Sequence, residues 1–154
     1  MSGFSRQATL RAAEKALREG RLSVAIKEYA RVIESDPDDW NTANALGDLY
    51  IRDGQIDRGL DEFIRIANHF AAEGFHAKAS AFYKKVLKIR PDHEHALLQS
   101  GEMAARIGLL ADARNAFAEV AARRSRRGDE QGAALMEGRI EALDADEQKV
   151  TRSV

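Results

Sequence analysis

An all-α fold, an α-solenoid of about eight antiparallel helices, follows from three features of the sequence. The composition is the first. Among 154 residues there are 27 alanines, 2 prolines and only 18 β-branched residues, which argues against a β-sandwich or barrel. The second is punctuation. Gly20, Gly54, Gly74, Gly108 and Gly128 fall at alternating spacings of 34 and 20, so two steps always span 54 residues. Residues 21–74 align with 75–128 without a gap, and 11 of the 54 pairs are identical. Among them are Ala25/Ala79, Tyr29/Tyr83, Pro37/Pro91, Gly47/Gly101, Gly54/Gly108, Phe63/Phe117 and Gly74/Gly128. Small, aromatic and turn-forming residues are those that packing and backbone geometry restrict most, so an internal duplication explains their recurrence. The third is apolar periodicity near 3.6 residues between the turn signals.

Each element follows from local signals. A helix is expected over about 6–19, ended by Gly20. Residues 22–35 place Leu22, Ala25, Ile26, Tyr29, Val32 and Ile33 on one face of a second helix. Asp36-Pro37-Asp38-Asp39 stops it, because the residue before a proline avoids the helical region and proline has no N–H to donate. An aspartate of that turn can cap the next helix, which begins near Trp40. That helix carries Trp40, Ala43, Leu46, Gly47 and Tyr50 at three- to four-residue spacing and ends at Gly54. The same reading gives helices over 56–72, 75–89, 93–107, 109–126 and 129–144. Residues 145–154 show no apolar period and are expected to form a flexible or truncated tail after a single domain spanning 5–144.

These residues resemble the tetratricopeptide repeat family, whose 34-residue unit is a helix–turn–helix with small residues, aromatics and a closing proline at fixed offsets. One unit covers 6–39, with Ala13, Gly20, Ala25, Tyr29 and Pro37. The next covers 40–73, with Trp40, Leu46, Gly47, Tyr50, Gly54 and Phe63, and with Gly59 where the family usually has alanine. A third covers 60–93, with Ala67, Gly74, Ala79, Tyr83 and Pro91. A fourth covers 94–127, with Gly101, Gly108, Ala113 and Phe117. Units two and three overlap in 60–73, so the helix over 56–72 is expected to be shared between them. The final helix reads as a polar-backed cap for the array.

The sequence excludes several chemistries. There are no cysteines, hence no disulfide, thiol nucleophile or cysteine-held metal. No phosphate-cradling glycine motif is present. Asp92-His93-Glu94-His95 is the most metal-like cluster, but its side chains diverge at a helix start, and no metal or cofactor is expected. No apolar run approaches the roughly 18 residues of a membrane span. The N-terminus lacks the plan of a secretory signal, so a cytoplasmic location is the expectation.

Charge is unevenly spread. With 24 Lys+Arg against 25 Asp+Glu, the chain as a whole is nearly neutral. Residues 34–62 carry net -7 and residues 78–127 net +6. Arg123, Arg124, Arg126 and Arg127 cluster at a helix end, where cations are favourable. No aromatics interleave with them, which argues against single-strand stacking, and nucleic acid is not the expected partner.

The resemblance implies a non-catalytic scaffold that presents a concave helical groove to a protein or peptide. First helices of the family's units line that groove. Here they offer Asn41, Asn44, Asp48, Ile51 and Arg52, with His95, Leu98, Glu102 and Arg106 one duplication further on. The family's carboxylate-clamp subset would need Lys and Asn where this chain has Leu10, Glu14, Ala45 and Asp61, and only Arg65 suits that pattern. The alternative expectation is head-to-tail self-association through the bipolar charge, or a role as an adaptor segment of a longer protein.

Overall fold

A computed structural model describes residues 3–153. Among them are eight helices and no strand: α1 (Arg6–Arg18), α2 (Leu22–Ser35), α3 (Trp40–Arg52), α4 (Ile56–Ala72), α5 (His76–Ile89), α6 (Glu94–Arg106), α7 (Leu110–Arg126) and α8 (Glu130–Arg152). The chain divides into two compact units, Met1–Ile66 and Ala67–Val154, with the division inside α4.

The duplication is a three-helix unit. Helices α2, α3 and α4 have 14, 13 and 17 residues. Helices α5, α6 and α7 repeat those lengths, and every boundary is displaced by 54 positions. Five turns share one geometry. Gly20, Gly54, Gly74, Gly108 and Gly128 all have φ between 72 and 84°, the left-handed region that a Cβ disfavours. In each turn the residue after the glycine donates its N–H to a carbonyl five positions back, as Arg21 does to Ala16 and Gln55 to Tyr50, both at 2.8 Å. This closes the helix end by the Schellman pattern.

The proline turns are built differently. Asp39 caps α3, accepting from the Thr42 N–H at 3.2 Å and the Thr42 hydroxyl at 2.8 Å. Arg6 of α1 donates its Nε to the same carboxylate at 3.1 Å, so one side chain ties α1 to the start of α3. Partial burial raises the Asp39 pKa, but the bonds from Arg6 and Thr42 together outweigh it and pull the carboxyl below its usual value. A depressed folded-state pKa gives stability that is complete above the unfolded-state value and is lost as pH falls from there through the folded-state value. Thermal melts should therefore show a midpoint that drops below about pH 5 in the wild-type protein. Asp39→Asn keeps a capping oxygen but no charge, so its midpoint should start lower at neutral pH, by the equivalent of about 0.5–1.5 kcal/mol. It should then fall less on acidification.

Close helix approach fixes the packing in each unit. A Cβ added at Gly47 would lie 2.5 Å from the Phe63 ring, and one at Gly101 would lie 2.9 Å from the Phe117 ring. Both rings are fully buried. The glycine of one helix is thus the recess for the aromatic of the next, in both copies. Gly59 leaves no room for a side chain: a Cβ there would sit 2.8 Å from Ile51 Cγ1 and 2.9 Å from the Gly47 carbonyl oxygen. Its duplicate, Ala113, is buried with room for its methyl. Around these contacts the first unit collects Ala13, Ala16, Ala25, Ile26, Tyr29, Leu46 and Leu49. The second collects Ala104, Ala113, Phe117, Val120, Ala121, Met136 and Leu143. Ala25 and Ala79 are both completely buried, as are Val32 and Val86.

One boundary is corrected. The sequence reading ended the last helix at 144 and left 145–154 as a tail, whereas α8 continues to Arg152; Val154 lies outside the described residues. Helix α8 begins where a third copy of the 54-residue unit would begin, and Ala133 repeats Ala25 and Ala79. Ala145 stands where the first two copies have Pro37 and Pro91. Without a proline nothing stops the helix there. Arg114 of α7 then holds its added length by bonds to Asp144 at 2.6 Å and Glu147 at 2.9 Å.

Candidate functional site

The proposed groove residues lie on the solvent side of α3 and α6. The core takes Thr42, Ala43, Leu46, Gly47 and Leu49 from α3. Asn41, Asp48 and Arg52 are therefore exposed along the other side, with Asn44 and Ile51 half-buried at its margin. On α6 the core takes Ala96, Gly101, Met103 and Ala104. His95 and Arg106 are exposed, and Leu98 and Glu102 are half-buried. Each unit thus carries one polar stripe with a short apolar margin, set by the same helical phase.

The stripes differ in how much of their chemistry the fold already uses. On α6, Glu102 receives both Nε (3.0 Å) and Nη2 (2.6 Å) of Arg139 from α8, and that guanidinium also lies 5.2 Å over the Phe117 ring. His95 stands edge-on to Tyr83 at 6.2 Å between ring centres. Arg52 and Arg106 contrast with these. Both are exposed in the last turns of their helices, and neither makes a hydrogen bond or ion pair with a described residue.

Most other cations of the second unit have an internal task. Arg123 pairs with Glu119, and Arg114 with Asp144 and Glu147. Arg124 and Arg127 both reach Glu94, at 3.4 and 2.6 Å, across the start of α6. The Arg127 bond, more than any other contact, pulls the Glu94 carboxyl below its usual pKa. The arginine cluster singled out in the sequence is therefore largely a clasp between α6, α7 and α8.

The remaining sequence candidates also have structural tasks. His93 caps α6, its Nδ1 accepting from the Ala96 N–H at 3.1 Å, while its neighbour Glu94 is held by arginines. Among the described residues no three His, Cys, Asp or Glu side chains converge as a metal site would require. Arg65 is committed as well: its guanidinium lies 4.9 Å over the Trp40 ring and donates to the Pro37 carbonyl. No described helix is long and apolar enough to cross a membrane.

Consecutive antiparallel helices, joined by short turns on a repeating period, define a helical-repeat protein. Residues 10–67 match the family model described as a tetratricopeptide repeat. Members of this family are generally non-catalytic interaction modules. No curated protein matches the chain. Among solved structures it is similar to a tetratricopeptide repeat protein from Parabacteroides merdae, at 17% identity and a TM-score of 0.46. That alignment covers 97% of this chain and 64% of the other, so the chain spans less than two thirds of that protein's length. It is also similar to MamA, at 13% identity and a TM-score of 0.39, covering 89% of this chain and 96% of that one. A MamA segment from Desulfovibrio magneticus gives 13% identity and a TM-score of 0.38, covering 95% of this chain and 98% of that one.

Proposed function

We propose that the chain is a protein-interaction scaffold whose recognition surfaces are the exposed stripes of α3 and α6: Asn41, Asn44, Asp48, Ile51 and Arg52 on the first unit, and His95, Leu98, Glu102 and Arg106 on the second. The observation that carries this reading is the pair Arg52 and Arg106. They are the duplicated arginines of the two copies, and both stay exposed and unpaired while the arginines of α7 and α8 are mostly bound to carboxylates. A guanidinium offers five donors in a planar fork suited to carboxylates and backbone carbonyls. Set beside amides, a carboxylate and short apolar margins, it suits an extended or helical peptide better than a small metabolite.

The competing account is that each arginine only complements its helix C-terminus, an effect of about 0.3–1 kcal/mol at a surface. Arg52→Glu combined with Arg106→Glu separates the two. The double variant should lose capture of the partner in a pull-down from the source cell, while its melting midpoint moves by only a few degrees. Unchanged capture with a large loss of stability would assign the arginines to the fold.

A further inference from the structure

The seams between paired helices differ in what fills them, and one is left open. Three seams occupy equivalent positions on the 54-residue period: α1/α2, α4/α5 and α7/α8. In the first, Tyr29 of α2 is buried, and the nearby Glu14 carboxylate of α1 helps raise the phenol's pKa, after burial itself. In the second, Tyr83 of α5 is 1% exposed, and its hydroxyl donates to Asn68 Oδ1 of α4 at 2.5 Å. Both tyrosines are buried, as are the alanines Ala13 and Ala67 of the facing helices, and the Tyr83 phenol is held by a polar oxygen. In the third, the tyrosine position is Glu137 and the polar position is Ala122. Glu137 is exposed and lines the rim of the seam instead of being buried in it as the tyrosines are. What remains is a concavity of about 410 Å³ lined by Ala118, Ala121, Ala122, Ser125, Glu137 and Ile140.

We propose that this open α7/α8 seam receives a tyrosine side chain from a partner peptide, with a basic residue beside it. The walls fix the ring. Ala118, Ala121, Ala122 and Ile140 offer an apolar surface, cut back relative to the first two seams, where Leu10 and Ile64 stand in place of Ala118. The rim fixes the polar atoms. Glu137 takes the place of Glu14 and Asn68 as the acceptor for the phenol, supplied from the opposite helix. Charge selects the flanking residue: Glu130, Glu137 and Glu141 are all exposed along α8, and residues 128–154 carry net -4. The site does not depend on the α3 and α6 stripes and lies wholly within the second unit.

The test uses the full chain and the probe acetyl-Gly-Lys-Tyr-Lys-Gly-amide, followed by amide shifts in nuclear magnetic resonance. Saturable shifts are expected at residues 118–125 and 137–140. Replacing the probe's tyrosine with alanine should weaken binding about tenfold or more, as loss of a central anchor does. Glu137→Tyr refills the seam in the manner of Tyr29 and Tyr83, so that variant should melt higher and lose the probe. Glu137→Gln keeps the concavity and should retain the tyrosine requirement while losing much of the preference for lysine. Arg52→Glu with Arg106→Glu should leave the shifts unchanged, which separates this site from the stripes. Shifts confined to other surfaces, equal binding of the alanine probe, or undiminished binding by Glu137→Tyr would each overturn the proposal.

Discussion

Phe117→Ala is expected to destabilise the second unit by about 3–5 kcal/mol, the range for deleting a buried aromatic ring. The ring is completely buried and fills the recess opened by Gly101, and it also carries the Arg139 guanidinium on its face. Truncation therefore removes more than apolar contact. It leaves a void between α6 and α7 and takes away the surface on which the Glu102–Arg139 pair is laid. Set against a typical total of about 5–15 kcal/mol, this is a large fraction of the stability. In a repeat array, stability is close to a sum of local and nearest-neighbour terms. Denaturant unfolding followed by hydrogen exchange should thus show α6, α7 and α8 opening first, with α1 to α3 still protected. A uniform, small loss of protection along the whole chain would contradict the local account.

The second large effect concerns the end of the array. Ala145→Pro places in the third copy the proline that the first two copies carry, and proline in a helix interior costs about 3 kcal/mol. Because α8 has no neighbour beyond it in the described chain, the loss should stay local. Helix α8 should shorten from 23 residues toward the 14 of α2 and α5, releasing the Arg114 bond to Glu147. Circular dichroism should report a fall in helix signal, and amide exchange should place it in 145–152. An unchanged helix signal would mean that those residues are not helical in solution.

Much of this architecture was legible in the sequence, because each turn is specified locally. The glycines at left-handed turns, the Asp36–Asp39 stop and the Asp39 cap all act within a few residues of themselves. Repetition at 54 residues then gives each signal twice. The length of α8 was not legible by the same means, since its cause is a missing proline, and an absence marks no position. Aligning a third copy on Ala133 would have exposed it. The clasp around Glu94 and the Glu102–Arg139 pair were also hidden. Their partners are 30 to 37 positions apart and meet only once the helices have packed. Arginines that read as a surface cluster were therefore largely structural. For the candidate stripes, the resemblance pointed to Asn41, Asp48, Arg52, His95 and Arg106, which are exposed on α3 and α6. It could not anticipate that α8 would reach back to occupy Glu102.

The most direct test of recognition through these stripes is hydrogen exchange of the chain alone and bound to the partner it captures from its source cell. The account predicts added protection concentrated in α3 and α6, at residues 41–52 and 94–106. Protection confined to α2, α4 and α7, with α3 and α6 unchanged on binding, would contradict it.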